Sequence, residues 1–210
     1  MKRTTLTGGL ILLALLLSVF ALAGCRRSAR PDHPRGPKGS IILILRHAEK
    51  PDNGSGLSLA GEDRAGGYVN FFNQFTVDSK PLRLNNLFAA ADSRESCRPR
   101  LTIEPLSRAL GLPIDTRFKD KQVQALADTL QALPPGRQIL ICWHHGEIPP
   151  LLRALGGDPE KIVPGGRWPG KVYSWLIQLR YDEQGQLLDV RCINTSGLPG
   201  DADKTIPAGP

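Results

Sequence analysis

Two short, continuous apolar runs constrain the fold of this chain more than any other feature of its sequence. Ser40–Leu45 and Gln138–Trp143 are bounded by polar or turn-forming residues and are predicted to be buried strands of the parallel type. Between them, Gln122–Leu133 carries apolar residues at helical spacing and ends before Pro134-Pro135. Strands that alternate with helices in this way predict an α/β domain with a mostly parallel central sheet.

The remaining predicted elements complete a three-layer α/β/α sandwich. Helices are predicted at 61–75, 99–110 and about 149–155, and strands at 87–91, 172–181 and 187–194. The last two strands flank Asp182–Gly185, a turn sequence that predicts a C-terminal hairpin on the edge of the sheet.

The N-terminus has the pattern of a lipoprotein signal. Met1–Arg3 is a positively charged start, and Leu10–Leu22 is almost wholly apolar but short of the ~20 residues that span a bilayer. Leu22-Ala23-Gly24-Cys25 then resembles the bacterial lipobox, in which the cysteine is lipidated. We therefore predict a signal peptide at 1–24, a flexible tether at 25–39 after lipidated Cys25, one domain at 40–197 and a flexible tail at 198–210. This organisation predicts anchoring at an extracytoplasmic membrane face, in the bacterial periplasm or at the cell surface.

The charge distribution argues against a nucleic-acid partner, and the cysteine spacing argues against a zinc site. The formal net charge is +7, but most of the basic excess lies in the first residues and the tether. The domain itself is close to neutral, so no nucleic-acid partner is expected. The absence of a Cys-x-x-Cys motif argues against a zinc knuckle, while Cys97, Cys142 and Cys192 leave open one disulfide with one free thiol.

Polar residues of catalytic type follow both central strands. Arg46 and His47 come at the end of the first apolar run, and His144 and His145 come directly after the second. Because the carboxyl ends of parallel strands form the ligand-binding edge of an α/β sheet, a cation and a nucleophilic imidazole are expected there. Two strand-end histidines far apart in sequence are what a phosphohistidine mechanism needs.

Four short motifs, in order along the chain, are similar to those of a known family. Leu45-Arg46-His47 matches an Arg-His-Gly signature in which Ala48 replaces the glycine, and Leu57–Gly61 matches a Leu-Thr/Ser-x-x-Gly helix start. His145-Gly146 matches a second catalytic histidine. From about residue 41 to residue 181 the chain resembles the histidine phosphatase superfamily, with the phosphoglycerate mutase-like fold.

The fourth motif is the least regular. Arg98 and Thr102 resemble the arginine and threonine of a Ser-x-x-x-Arg-x-x-x-Thr segment. Arg94 stands at the usual serine position, so a shift of one residue, to Ser93, is needed. Arg94 and Arg100 therefore compete with Arg98 for the arginine role.

The resemblance implies a metal-independent phosphatase that needs no cofactor. Neutral His47 would attack phosphorus and become the phosphohistidine intermediate. Arg46, Arg98 and His145 would surround the phosphoryl oxygens and offset their charge. Arginine suits this role because its planar fork gives paired donors and keeps its charge.

Two carboxylates are candidates for the general acid that protonates the leaving alkoxide. Glu147, two residues after the second histidine, is the first choice, and Asp120 is the second. Glu49 is expected to orient its loop or to pair with Lys50. His144 is expected to pack or to lie at the rim, because adjacent side chains on an extended segment point to opposite faces.

The sequence thus predicts a membrane-anchored hydrolase that acts on a phosphomonoester, either a small molecule or a protein. The alternative is a non-catalytic lipoprotein of the same fold that binds phosphate or a phosphoprotein and lacks a competent acid. Trp143 is expected in the core. Substrate specificity is expected in the loops at 52–56, 78–85 and 163–170.

Overall fold

The computed structural model describes residues 35–195 and 197–198 of the chain. The expected signal peptide, Cys25, most of the tether and nearly all of the tail lie outside these residues. Within the two described ranges, no helix combines the length and apolar character that crossing a membrane requires.

The described part contains eight strands and five α-helices. In chain order the strands are β1 (Ile41–Arg46), β2 (Thr76–Val77), β3 (Lys80–Pro81), β4 (Asn86–Ala89), β5 (Ile114–Asp115), β6 (Gln138–Trp143), β7 (Trp175–Tyr181) and β8 (Leu187–Asn194). The helices are α1 (Leu59–Gln74), α2 (Arg98–Leu110), α3 (Val123–Gln131), α4 (Ile148–Ala154) and α5 (Pro159–Ile162).

Six of these strands form one central sheet in the order β5-β4-β6-β1-β7-β8. β1 runs parallel to β6, and β4 runs parallel to both β5 and β6. β7 runs antiparallel to β1 and to β8, so the last two strands form a hairpin on one edge of the sheet. The predicted mostly parallel sheet with a C-terminal hairpin is confirmed.

The register between the two central strands determines where the polar residues that follow them lie. Ile41 is opposite Gln138, and Arg46 is opposite Trp143, so β1 and β6 begin and end together. The backbone N–H of His47 extends the pairing by donating to the carbonyl of Trp143 at 3.0 Å. The residues after both strands therefore leave the sheet at the same edge.

Side chains of β1 alternate between two apolar cores. Ile42 and Ile44 pack with α3 and α4 on one face of the sheet, whereas Leu43 and Leu45 pack with α1 and α2 on the other. All four side chains are fully buried, and each such burial contributes about 1.5–3 kcal/mol. The predicted three-layer α/β/α arrangement is confirmed, with a rigid central strand immediately before His47.

The segment at 78–85 does not lie at the ligand-binding edge. Asp78 forms an ion pair with Arg180 at 2.7 Å, and Arg180 is the partner of Ile41 at the start of β1. This segment is therefore at the end of the sheet opposite His47, where the β2–β3 hairpin occupies part of it. The expectation that it contributes to substrate specificity is wrong.

Candidate active site

His47 is buried directly after β1, with one ring nitrogen held by the backbone. Its Nδ1 lies 2.7 Å from the carbonyl oxygen of Ala48. A carbonyl oxygen only accepts hydrogen bonds, so Nδ1 carries the proton and Nε2 keeps its lone pair. Burial lowers the pKa of His47 to about 3, and the nearby charges of Arg46 and Arg98 act in the same direction. The ring is therefore neutral and nucleophilic across the physiological range.

Arg46 is buried beside it and is fixed by the segment that precedes β7. Its Nη1 donates to the carbonyls of Gly170 at 2.8 Å and Val172 at 3.3 Å. Its guanidinium carbon stands 3.9 Å from the centroid of the Tyr173 ring, a cation–π contact. Nε of Arg46 is buried without a hydrogen-bond partner in the described part of the chain.

Arg98 reaches the same region from the first position of α2. Its Nη1 donates to the carbonyl of Gly54 at 3.3 Å, and its buried Nε has no hydrogen-bond partner among the described residues. Thr102 ties this helix to the loop after β1, because its Oγ1 donates to the Arg98 carbonyl at 2.7 Å and accepts from the Ala48 N–H at 2.8 Å. The threonine of the predicted motif therefore holds the backbone at Arg98 next to the loop that follows His47.

The competing arginines have other environments. Arg100 points to the outside of α2, where it pairs with Asp92 at 2.9 Å and with Glu104 at 3.5 Å. Arg94 is exposed and lines a neighbouring cavity. Of the three arginines, Arg98 is the one that lines a cavity together with His47.

His144 and His145 both face the cavity. β6 ends at Trp143, and the next residues form a turn closed by the Glu147 N–H on the His144 carbonyl at 2.9 Å. The alternation expected for a strand therefore does not apply to this pair. The His144 ring meets the His47 ring edge-on with 5.2 Å between centroids, and burial lowers the pKa of both His144 and His145.

All the predicted site residues within the described ranges line one cavity of about 540 Å³, which we call the histidine cavity. Its lining consists of Arg46, His47, Lys50, Ser93, Glu95, Ser96, Arg98, Asp120, His144, His145, Gly146, Glu147, Gly170 and Tyr173. Two guanidinium groups, each with an Nε–H that has no acceptor among the described residues, lie beside a neutral imidazole and form a site suited to a tetrahedral anion. Within the described residues, no cluster of three or more His, Cys, Asp or Glu side chains could hold a metal ion.

Three carboxylates line this cavity. Glu147 immediately precedes α4 and does not cap it through its side chain. Asp120 is held by its backbone, because Nε1 of Trp143 donates to the Asp120 carbonyl at 2.8 Å. Glu95 was not predicted from the sequence, and no pattern in its exposed loop distinguishes it from other surface carboxylates.

Glu49 does not pair with Lys50. Its carboxylate takes a two-pronged hydrogen bond from Arg64, with Nη2 at 2.8 Å and Nε at 3.0 Å, and the Arg64 side chain is fully buried. The Glu49 carbonyl also accepts from the N–H of Ser58 at 3.0 Å. The expectation that Glu49 orients its loop agrees with these contacts, but its ionic partner is Arg64.

Two other predictions concern residues away from the cavity surface. Trp143 is fully buried, as expected for a core residue. Cys97, Cys142 and Cys192 are all free thiols. Burial raises the pKa of the Cys192 thiol to about 11 and raises that of the fully buried Cys142 further, so both are protonated at neutral pH.

Comparisons with known proteins bear on the fold. No family model and no curated protein matches this chain. The crystal structure of SixA from Agrobacterium tumefaciens, assigned as a phosphohistidine phosphatase, is similar with a TM-score of 0.51 and 20% identity, over 72% of this chain and 97% of that one. Phosphoglycerate mutase from Plasmodium falciparum is similar with a TM-score of 0.50 and 13% identity, over 80% and 97%. The described domain therefore has the phosphoglycerate mutase-like α/β fold.

Proposed function

We propose that this protein hydrolyses phosphomonoesters through a phosphohistidine intermediate on His47. The proposal rests on the protonation state of the His47 imidazole. Nδ1 is committed to the Ala48 carbonyl, which leaves Nε2 as an unprotonated nucleophile in a cavity lined by buried Arg46 and half-buried Arg98. A neutral histidine next to unused guanidinium donors suits attack on a phosphoryl group better than it suits a structural role.

In the first step, Nε2 of His47 attacks phosphorus in line with the ester oxygen. The N–P bond forms as the P–O bond to the alcohol breaks, and the positive charge that the ring gains is stabilised through Nδ1–H on the Ala48 carbonyl. The guanidinium groups of Arg46 and Arg98 would donate to the equatorial oxygens, and neutral His145 would donate one more N–H. The leaving oxygen takes a proton from a carboxylic acid.

In the second step, water attacks the phosphorus of the phosphohistidine. The N–P bond breaks and its electron pair returns to Nε2, while the carboxylate that acted as an acid takes a proton from the water. Inorganic phosphate leaves, and His47 is again neutral with its proton on Nδ1.

We assign the acid to Glu147, with Asp120 as the second candidate. The Glu147 side chain is half-buried on the cavity wall, and it is not occupied in capping α4. Asp120 lies on the same wall, and its charge raises the pKa of His144 against the effect of burial. Both carboxylates are therefore available to a leaving group in the histidine cavity.

We also propose that the protein is a lipoprotein anchored through Cys25 at an extracytoplasmic membrane face. The proposal is supported by the charged start, the short apolar core and the small residues that precede this cysteine. The substrate would then be a phosphomonoester on the same side of the membrane, either a small molecule or a phosphoprotein.

Chemical trapping tests the intermediate. The full chain is mixed with a phosphomonoester labelled in the phosphoryl group and quenched in alkali, in which phosphohistidine survives. We expect label on His47 in the wild type and none in His47→Gln, while the control His33→Gln, outside the described residues, keeps it. Turnover without label on His47 would contradict the mechanism. Binding of phosphate without any turnover would instead indicate a non-catalytic phosphate-binding lipoprotein.

A further inference from the structure

A buried ion pair joins α1 to the segment that follows the nucleophile, and the proposed chemistry does not use it. Arg64 is on α1, and its side chain is fully buried. Its Nη2 and Nε donate to the carboxylate of Glu49 at 2.8 Å and 3.0 Å. A buried charge is costly unless it is paired, so removing either partner alone would leave the other uncompensated. Because Glu49 is two residues after His47, this pair acts on the segment that carries the nucleophile.

The first residues after β1 are held one after another by separate elements. The His47 N–H donates to the carbonyl of the last residue of β6 at 3.0 Å, and the Ala48 N–H donates to Oγ1 of Thr102 in α2 at 2.8 Å. Glu49 is held by α1, at its carboxylate by Arg64 and at its carbonyl by the N–H of the N-cap residue at 3.0 Å. The position of α1 is therefore transmitted to this segment through Glu49.

The peptide unit between Ala48 and Glu49 determines which nitrogen of the nucleophile carries the proton. Its carbonyl oxygen lies 2.7 Å from Nδ1 of His47 and keeps the proton on that nitrogen. A peptide unit is planar, so the direction of its carbonyl depends on where the two flanking Cα atoms are held. Arg64 restricts one of these atoms, the Cα of Glu49, through the carboxylate. If Glu49 moved, the carbonyl would turn away from Nδ1 and the proton could occupy Nε2, the nitrogen that must be free for attack.

We propose that Arg64 is a positioning residue for His47, because its ion pair with Glu49 holds the Ala48 carbonyl against Nδ1 and so keeps Nε2 free. This inference rests on the proposed function, which gives Nε2 its role as the nucleophile. Arg64 is not among the residues that line the histidine cavity, so it acts through Glu49 and the backbone and does not touch the substrate. Loss of the pair should lower kcat and leave KM nearly unchanged, since the groups that would bind the phosphate stay in place.

NMR of the ring nitrogens of His47 tests this role directly. The full chain is labelled with ¹⁵N in its histidines, and the ring signals of His47 are identified by their loss in His47→Gln. We expect the wild type at neutral pH to carry the His47 proton on Nδ1. Arg64→Met/Glu49→Gln removes both charges together and leaves neither uncompensated. In this double variant we expect signals of the Nε2–H form as well, and a kcat for an aryl phosphate about tenfold lower with KM within about twofold.

Two further variants separate positioning from general stability. Arg64→Lys keeps the positive charge but loses the planar fork, so it should lie between the wild type and the double variant in both measurements. Tyr181→Phe is the matched control, because it removes a buried hydrogen bond, from the Tyr181 hydroxyl to the Leu155 carbonyl at 2.9 Å. Tyr181 pairs with Ser40 at the end of β1 opposite His47. This variant should be less stable than the wild type but keep its tautomer and kcat.

The NMR measurement needs no turnover, so it tests the inference even if no phosphomonoester is hydrolysed. A wild-type tautomer and kcat in every Arg64 variant that folds would overturn the inference and leave the proposed function intact. An equal change of tautomer in Tyr181→Phe would also overturn it, because the effect would then come from a general loosening of the fold. A wild-type ring with its proton on Nε2 would contradict both this inference and the proposed function.

Discussion

At the residue scale, the imidazole of His47 links the chemistry of the site to the stability of the fold. Its pKa is lowered from 6.5 to about 3, chiefly by burial. In the unfolded chain the ring takes up a proton below about pH 6.5, whereas the folded ring does not until about pH 3. The contribution of His47 to folding stability should therefore be constant above this window and fall by about 1.4 kcal/mol for each pH unit as the pH drops through it.

Urea denaturation at several values between about pH 7 and pH 4.5 checks this. We expect the free energy of unfolding of the wild type to fall more steeply than that of His47→Gln, which has no imidazole at this position. His33→Gln is the control and should keep the wild-type slope. Parallel slopes for wild type and His47→Gln would mean that the pKa of the ring is the same in the folded and the unfolded protein.

The acid is tested by comparing leaving groups. An aryl phosphate has a good leaving group and needs little help from an acid, whereas an alkyl phosphate depends on it. We expect Glu147→Gln to slow the alkyl substrate by about 10²-fold or more and the aryl substrate much less. Asp120→Asn is the matched comparison, and if it alone shows this pattern then the acid is Asp120. Equal slowing of both substrates by Glu147→Gln would exclude it as the acid.

Tyr173 is a positioning residue for Arg46. Its ring packs against the guanidinium at 3.9 Å while the carbonyls of Gly170 and Val172 hold Nη1, so the guanidinium is fixed from two sides where Arg46 lines the cavity. We expect Tyr173→Ala to lower kcat for an aryl phosphate about 3- to 30-fold with a smaller change in KM, from the strength of a cation–π contact. Tyr173→Phe keeps the ring and should restore most of the rate. A Phe variant as slow as the Ala variant would assign the effect to the hydroxyl group instead.

The sequence predicted the residues that follow its strongest patterns. Arg46 and His47 lie at the end of a continuous apolar run, so local pattern was enough for them. The spacing from Thr102 favoured Arg98, but the structure was needed to set aside Arg94 and Arg100. Glu95 and Tyr173 reach the cavity from loops whose conformation depends on tertiary contacts. The ion pair between Glu49 and Arg64 could not be predicted from local pattern either, because the two residues are on different elements and each could have paired with another residue.

At the element scale, the start of α1 is fitted against the loop after β1. Ser58 caps the helix by accepting from the Gly61 N–H at 3.2 Å, and its own N–H donates to the Glu49 carbonyl. A Cβ atom at Gly61 would lie 2.5 Å from that carbonyl oxygen. The Leu-Ser-x-x-Gly motif therefore has a packing reason, and it places α1 close to the residues that follow His47.

Gly61→Ala should destabilise the protein by about 1–3 kcal/mol, because the added methyl must push the Glu49 backbone away. Gly66→Ala in the same helix is the control, since a Cβ atom there meets nothing within 4 Å. That change should stabilise the protein by about 0.5–1 kcal/mol through helix propensity. Thermal unfolding of the two variants measures both effects, and equal melting temperatures would show that the helix start adjusts freely.

Element prediction succeeded where the pattern spans several residues. The bounds of β6 and β8 match those predicted, because each is a run of six or more residues with a clear apolar or alternating pattern. The two-residue strands β2 and β3 and the four-residue helix α5 were missed. Such elements are shorter than the repeat from which a pattern is recognised, and their formation depends on contacts with the rest of the domain.

At the scale of the whole molecule, the N-terminal end of the described domain is far from the histidine cavity. The Gly36 N–H donates to the Gly185 carbonyl at 2.9 Å, and the Gly39 N–H donates to the Asp182 carbonyl at 2.7 Å. The chain thus enters along the β7–β8 turn, at the end of β1 opposite His47. A strand of this length spans about 20 Å, which separates Gly36 and Gly39 from the histidine cavity.

From this separation we expect the proposed lipid anchor and the proposed catalysis to be independent. Cys25→Ser should move the protein from the membrane fraction to the soluble fraction of bacterial cells that express the full chain. Its kcat/KM for an aryl phosphate should stay within about twofold of the wild type, because the described domain begins at the end of β1 opposite His47. Retention of Cys25→Ser in the membrane fraction after a carbonate wash would contradict lipid anchoring at this residue. A large loss of kcat/KM in the released protein would instead show that the connection to Cys25 acts on the site.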